Sequence, residues 1–91
     1  MQDIDNFIGQ HAGYYSEFYC GIASNPRDRL FNGHGVNEKT DWWKYKDFGT
    51  DTVARQVEKH FLAKGCKGDD GGGDSTTRFV YVYKVGNHTR E

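Results

Sequence analysis

The sequence predicts a small α+β domain, a mixed or antiparallel sheet of three to four strands flanked by helices. Three observations predict it. Residues 14–23 and 77–85 are rich in aromatic and β-branched residues, with rough alternation along the chain. Two other segments, after Asn25 and after Thr50, open on helix-capping residues and close on glycine. The chain is 91 residues long, enough for one hydrophobic core, so residues 1–91 are read as a single domain.

In chain order, residues 14–23 (YYSEFYCGIA) read as strand. Ser24-Asn25-Pro26 then switches the chain, since Asn is a good N-cap and Pro is favoured at the first helical position. A short helix is expected over 26–32, stopped by Gly33 and Gly35. Residues 41–48 (DWWKYKDF) alternate, with Trp43, Tyr45 and Asp47 on one side and Trp42, Lys44, Lys46 and Phe48 on the other, which is a strand pattern. Gly49 breaks it, and Thr50, Asp51 or Thr52 can cap a helix over 52–64 that Gly65 ends. Residues 65–75 (GCKGDDGGGDS) read as a flexible connector. They fit neither the phosphate-binding G-x-x-x-x-G-K-[ST] pattern nor the alternate acidic spacing of a calcium loop.

Hydrophobic residues make up 35% of the chain and charged residues 27%, and the mean hydropathy of −0.90 is polar for a globule. The aromatic share of 15% offsets this, because each ring buries a large area, and it argues against disorder. No run of about 18 apolar residues occurs, so no membrane-spanning helix is expected. The opening MQDIDNFIGQ has neither the basic nor the apolar part of a signal peptide. Twelve Lys and Arg against thirteen Asp and Glu give a net charge of −1. A protein that coats polyanions would be basic, so any nucleic-acid function must use a local site, a partner or a fused targeting module. Cys20 and Cys66 form no CxxC and lack zinc-ligand spacing, which points to a reducing compartment, the cytoplasm.

One residue stands out on the second helix. At about 100° per residue, Val53, Val57, Phe61, Ala54 and Leu62 form an apolar face, and Glu58 falls between Ala54 and Leu62. A carboxylate in that arc snorkels to water, or needs a cation, a metal or a proton. A second feature is Tyr19-Cys20-Gly21 followed by Arg27 and Arg29. A tyrosine at a strand end and an arginine on the next helix can converge, and the planar guanidinium suits phosphate.

The segment FYCGIASNPRDRLFNGHG resembles the second half of the GIY-YIG nuclease signature. In that family a strand ending in Tyr-Ile-Gly or a variant precedes a helix whose arginine lies eight residues after the glycine. Here that residue is Arg29, while Arg27 is off the spacing. A histidine commonly follows by four or five residues, as His34 does. A later helix carries a glutamate in an A-x-x-x-E context, matched by Ala54 to Glu58. The resemblance covers most of the chain, from about residue 14 to 62.

The family's first motif, Gly-Ile-Tyr, belongs on the strand beside the second tyrosine, and two arrangements fit. A tight turn at Ser16-Glu17 would set Tyr14 opposite Tyr19. Alternatively residues 4–10 form the first strand, with a turn at His11-Ala12-Gly13, and Phe7 takes the neighbouring place; this arrangement has the better turn residues. The resemblance implies a metal-dependent DNA endonuclease, acting alone or within a larger nuclease complex. Glu58 would hold one Mg²⁺ or Mn²⁺, Arg29 would bind the phosphate, and Tyr19, with Tyr14 where it pairs, would take the proton from water. His34 would assist. The alternative is a non-catalytic module that keeps the fold and binds nucleic acid or protein.

Overall fold

A computed structural model of the protein describes residues 2–10, 14–68 and 76–89. It begins with a helix, α1 (Gln2–Gln10), followed by a single 3₁₀ turn (Tyr15–Glu17) and strand β1 (Phe18–Ala23). A one-turn helix, α2 (Pro26–Asp28), runs directly into a π turn (Arg29–Gly33). Strand β2 (Trp43–Asp47), helix α3 (Asp51–Ala63) and strand β3 (Phe79–Lys84) complete it. The three strands form one antiparallel sheet in the order β1-β3-β2. The last strand is therefore central.

Local chemistry accounts for most boundaries. Asn25 caps α2, its side chain accepting from the backbone N–H of Asp28 at 3.2 Å, and Pro26 fills the first turn. Thr50 caps α3 in the same way through Val53 N–H at 3.2 Å. Strand period two divides the sheet into two faces. Phe18, Cys20, Val80 and Val82 pack against Ile4, Ile8, Ala54, Val57 and Phe61 of α1 and α3. Tyr19, Ala23, Tyr81 and Tyr83 pack against Leu30 and Val36 on the other side. Each fully buried aliphatic or aromatic side chain contributes about 1.5–3 kcal/mol against exposure.

Four expectations are corrected. Residues 4–10 are helix, not strand: Ile4 and Ile8, one turn apart, are both buried, and Asp3 and Asp5 favour a helix N-terminus. The tight hairpin at Ser16-Glu17 is absent, because that segment is the 3₁₀ turn, with Glu17 N–H donating to Tyr14 O at 3.1 Å. Both edges of β1 are already taken. β3 pairs on one side, and on the other Cys20 N–H donates to Lys67 O at 2.9 Å and Lys67 N–H to Phe18 O at 2.8 Å. The start of the expected glycine connector is thus ordered by β1, with Cys66 buried beneath it. Finally, Val53 is 38% exposed: the buried side of α3 is made by Ala54, Val57, Glu58 and Phe61 instead, so the apolar arc is rotated away from Val53. The expected turn at His11-Ala12-Gly13 and the stretch 69–75 lie outside the described residues.

Salt bridges tie the layers at the rim. Lys46 of β2 reaches Asp3 at 2.6 Å, and Lys64 reaches Asp5 at 3.2 Å. Tyr15 also donates its hydroxyl to Asp5 at 2.8 Å. Among the described residues no helix is long and apolar enough to cross a membrane.

Candidate functional site

The second sheet face is a grid set by the strand register. Tyr19, Tyr83 and Trp43 lie in one row across the strands, and Gly21, Tyr81 and Tyr45 in the next. The Tyr19 ring stacks on Tyr83, centroids 5.3 Å apart and planes 19° apart. His34 lies over these rings, its centroid 4.6 Å from that of Tyr19. Its Nε2 is 2.8 Å from the Tyr81 hydroxyl and its Nδ1 is 3.2 Å from the Tyr83 hydroxyl. The imidazole is 5% exposed, so these contacts are made away from water.

The π turn sets this position. His34 follows Arg29 by five residues, and its backbone N–H donates to the Arg29 carbonyl at 2.8 Å. One extra residue is absorbed in the turn, a device often found at functional sites. Arg29 itself is exposed, and its guanidinium lies beside the Tyr81 hydroxyl. Burial pushes the Tyr81 phenol up to about 12, and Arg29 opposes that rise. The ring of Tyr81 crosses β1 where Gly21 has no side chain; a Cβ there would come 2.9 Å from Tyr81 Cε2 and closer still to its hydroxyl. The glycine of Tyr19-Cys20-Gly21 therefore admits a ring from the neighbouring strand.

Tyr19 and His34 are in ring contact and Arg29 reaches Tyr81, so these three lie on one face of the sheet, whereas Glu58 lies on the other. Tyr14 does not join them: it precedes the 3₁₀ turn and is 68% exposed. The position beside Tyr19 belongs instead to Tyr83, with Tyr81 one row on, and sequence reasoning assigned neither a role. The period-two pattern of residues 77–85 carried the signal, because it sets both tyrosines on one face. Arg27 is occupied differently from Arg29. It bonds Glu38 at 2.6 Å, and its guanidinium carbon lies 5.1 Å from the Phe31 ring centroid and 5.8 Å from that of Trp43.

Glu58 is buried, 2% exposed, on the sheet-facing side of α3. It approaches β1 from the other layer, where its charge, after burial and Cys66, helps push the Cys20 thiol up. Among the described residues no group of three or more His, Cys, Asp or Glu converges as a metal cage. A lone carboxylate has the oxygen chemistry of Mg²⁺, but an ion that keeps several waters does not fit a side chain 2% exposed on the layer opposite Tyr19, Arg29 and His34. Neither a protein-family model nor a curated protein nor a solved structure matches the chain.

Proposed function

We propose that this protein is a metal-dependent nuclease that hydrolyses phosphodiester bonds in DNA, as its resemblance to the GIY-YIG family implies. The convergence of Tyr19, His34 and Arg29 on one sheet face carries the reading, since their spacing in sequence was the basis of the resemblance. Arg29 is exposed and beside a phenol, so it can donate to the non-bridging oxygens of a phosphate as charge builds. Tyr19, at 9% exposure the most accessible of the three tyrosines in the cluster, would take the proton from the attacking water. The resemblance would give Glu58 one Mg²⁺ or Mn²⁺, but Glu58 is 2% exposed on the layer of the sheet opposite Tyr19 and Arg29, so no step at the phosphate is assigned to an ion held there. The net charge of −1 makes a partner or a fused targeting module the source of DNA affinity beyond this local site.

The test is nicking of supercoiled plasmid and of branched DNA with Mg²⁺ and with Mn²⁺. Cleavage that Tyr19→Phe and Arg29→Ala abolish supports the reading. Cleavage that survives Tyr19→Phe removes it. A second reading is a non-catalytic module of the same fold that binds nucleic acid or protein, favoured by the depth of His34 and Glu58, 5% and 2% exposed. DNA binding without cleavage under both metals would select it.

A further inference from the structure

We infer that Tyr81, His34 and Tyr83 form a polarised hydrogen-bond chain in which Tyr83 holds His34 as its Nδ1–H tautomer, leaving the Nε2 lone pair to accept the hydrogen bond of the Tyr81 hydroxyl. The roles in cleavage given to these groups rest on the nuclease reading; the polarity of the chain does not.

The argument starts from the imidazole. A neutral histidine has one donor nitrogen and one acceptor nitrogen, and both nitrogens of His34 face a phenol. One tyrosine must therefore donate to the ring and the other accept from it. The distances choose between the two. An O–H donor makes the shorter bond, about 2.7–2.8 Å, and an N–H donor the longer. The 2.8 Å contact is to Tyr81 and the 3.2 Å contact to Tyr83. Tyr81 donates to Nε2, and Nδ1–H donates to Tyr83. Burial keeps the Tyr81 phenol protonated at rest, as this direction requires.

The chain gives the cluster a direction. The Tyr81 hydroxyl donates to His34 Nε2 and accepts from the Arg29 guanidinium beside it, so the chain runs from Arg29 through Tyr81 and His34 to Tyr83. Tyr81 is 1% exposed and His34 5%, so the chain touches neither water nor the reacting atoms and acts by orienting Arg29 towards the phosphate. Tyr81 and Tyr83 are positioning residues, supplied by the last strand of the chain.

The experiment reads the tautomer directly. Long-range ¹H–¹⁵N correlation spectra of the full chain, at mildly alkaline pH where imidazole is neutral, separate the two nitrogens of His34. The wild type should show a protonated Nδ1 and a bare Nε2. Tyr83→Phe removes the acceptor and should shift His34 towards the Nε2–H form, whereas Tyr81→Phe should leave Nδ1 protonated. A wild-type Nε2–H tautomer overturns the inference, and so does an unchanged tautomer in Tyr83→Phe. In single-turnover cleavage, Tyr81→Phe should lower the rate about a hundredfold, as misplacement of a phosphate-binding group does, and Tyr83→Phe less, with DNA binding kept in both. Unchanged rates in both variants overturn the positioning of Arg29. If the wild type cleaves no DNA, the nuclease reading fails while the spectra still decide the polarity.

Discussion

His34 donates its backbone N–H to the carbonyl of Arg29, five residues earlier, at 2.8 Å. That bond couples the exposed cation to the buried imidazole through a single turn. It also fixes where the ring lies, between the hydroxyls of Tyr81 and Tyr83. His34→Ala leaves two buried phenols without this partner and opens a void among the rings. The expected loss of stability is about 2–4 kcal/mol, from urea unfolding followed by tyrosine fluorescence. A loss under about 0.5 kcal/mol would mean that the cluster tolerates water at this position.

Arg29 and Arg27 should separate cleanly. Arg27 is engaged by Glu38 and by the Phe31 and Trp43 rings, whereas Arg29 stands beside the Tyr81 hydroxyl. Arg29→Ala should abolish cleavage, and Arg29→Lys should restore little, because a point charge cannot reproduce a planar fork. Arg27→Ala should leave the cleavage step intact and weaken DNA binding in a salt-dependent way. Plasmid nicking and a salt titration of DNA affinity distinguish the two. Equal loss of cleavage in both alanine variants defeats the assignment.

Glu58→Gln keeps the shape of a side chain that is 2% exposed while removing its charge. Stability should be unchanged or rise by about 1 kcal/mol, since an amide is cheaper to bury than a carboxylate. Binding of Mg²⁺ or Mn²⁺ should be unchanged, as read by titration calorimetry, because the carboxylate is closed off from water. Loss of binding of either ion would make Glu58 the ligand that the resemblance implies.

Asp5 provides a pH dependence. Burial pushes its carboxyl up, but hydrogen bonds from Tyr15 and Lys64 outweigh burial and hold it below the usual aspartate range. Because the folded pKa is the lower one, the contribution is complete above the unfolded value of about 3.9 and disappears as pH falls through the folded value. Asp5→Asn should therefore cost stability at neutral pH, below about 1 kcal/mol for so accessible a group. The difference from wild type should vanish in acid. A gap that widens on acidification would mean that Asp5 is stabilised as the neutral acid.

The sequence exposed those features whose causes are local. Asn25 with Pro26, and Thr50 before an apolar period of 3.6, fix helix starts within a few residues, so α2 and α3 were legible. Glu58 was legible because its place on the α3 apolar arc follows from helix geometry alone. The tyrosine beside Tyr19 was not. Which strand borders β1 depends on long-range pairing, and the neighbour proved to be the strand furthest away in the chain. Residues 4–10 misled for another reason. Ile4 and Ile8 are compatible with either period, and docking of α1 on the sheet decides the matter. The π turn also escaped notice, since five residues from Arg29 to His34 is not an α-helical interval.

Gly21 tests whether β1 and β3 are built around one another. Its φ lies outside the left-handed region, so nothing in its backbone requires glycine. What requires it is the Tyr81 ring, whose Cε2 would be 2.9 Å from an alanine Cβ. That ring cannot swing aside freely, because its hydroxyl is tied to His34. Gly21→Ala should therefore destabilise by about 1–3 kcal/mol through overpacking. Tyr81→Leu removes the obstructing atoms, so adding Gly21→Ala to that variant should cost almost nothing. The two changes would then be strongly non-additive in a double-mutant cycle measured by urea unfolding. Simple additivity would place the cost of alanine elsewhere in the strand and would detach Gly21 from the tyrosine site.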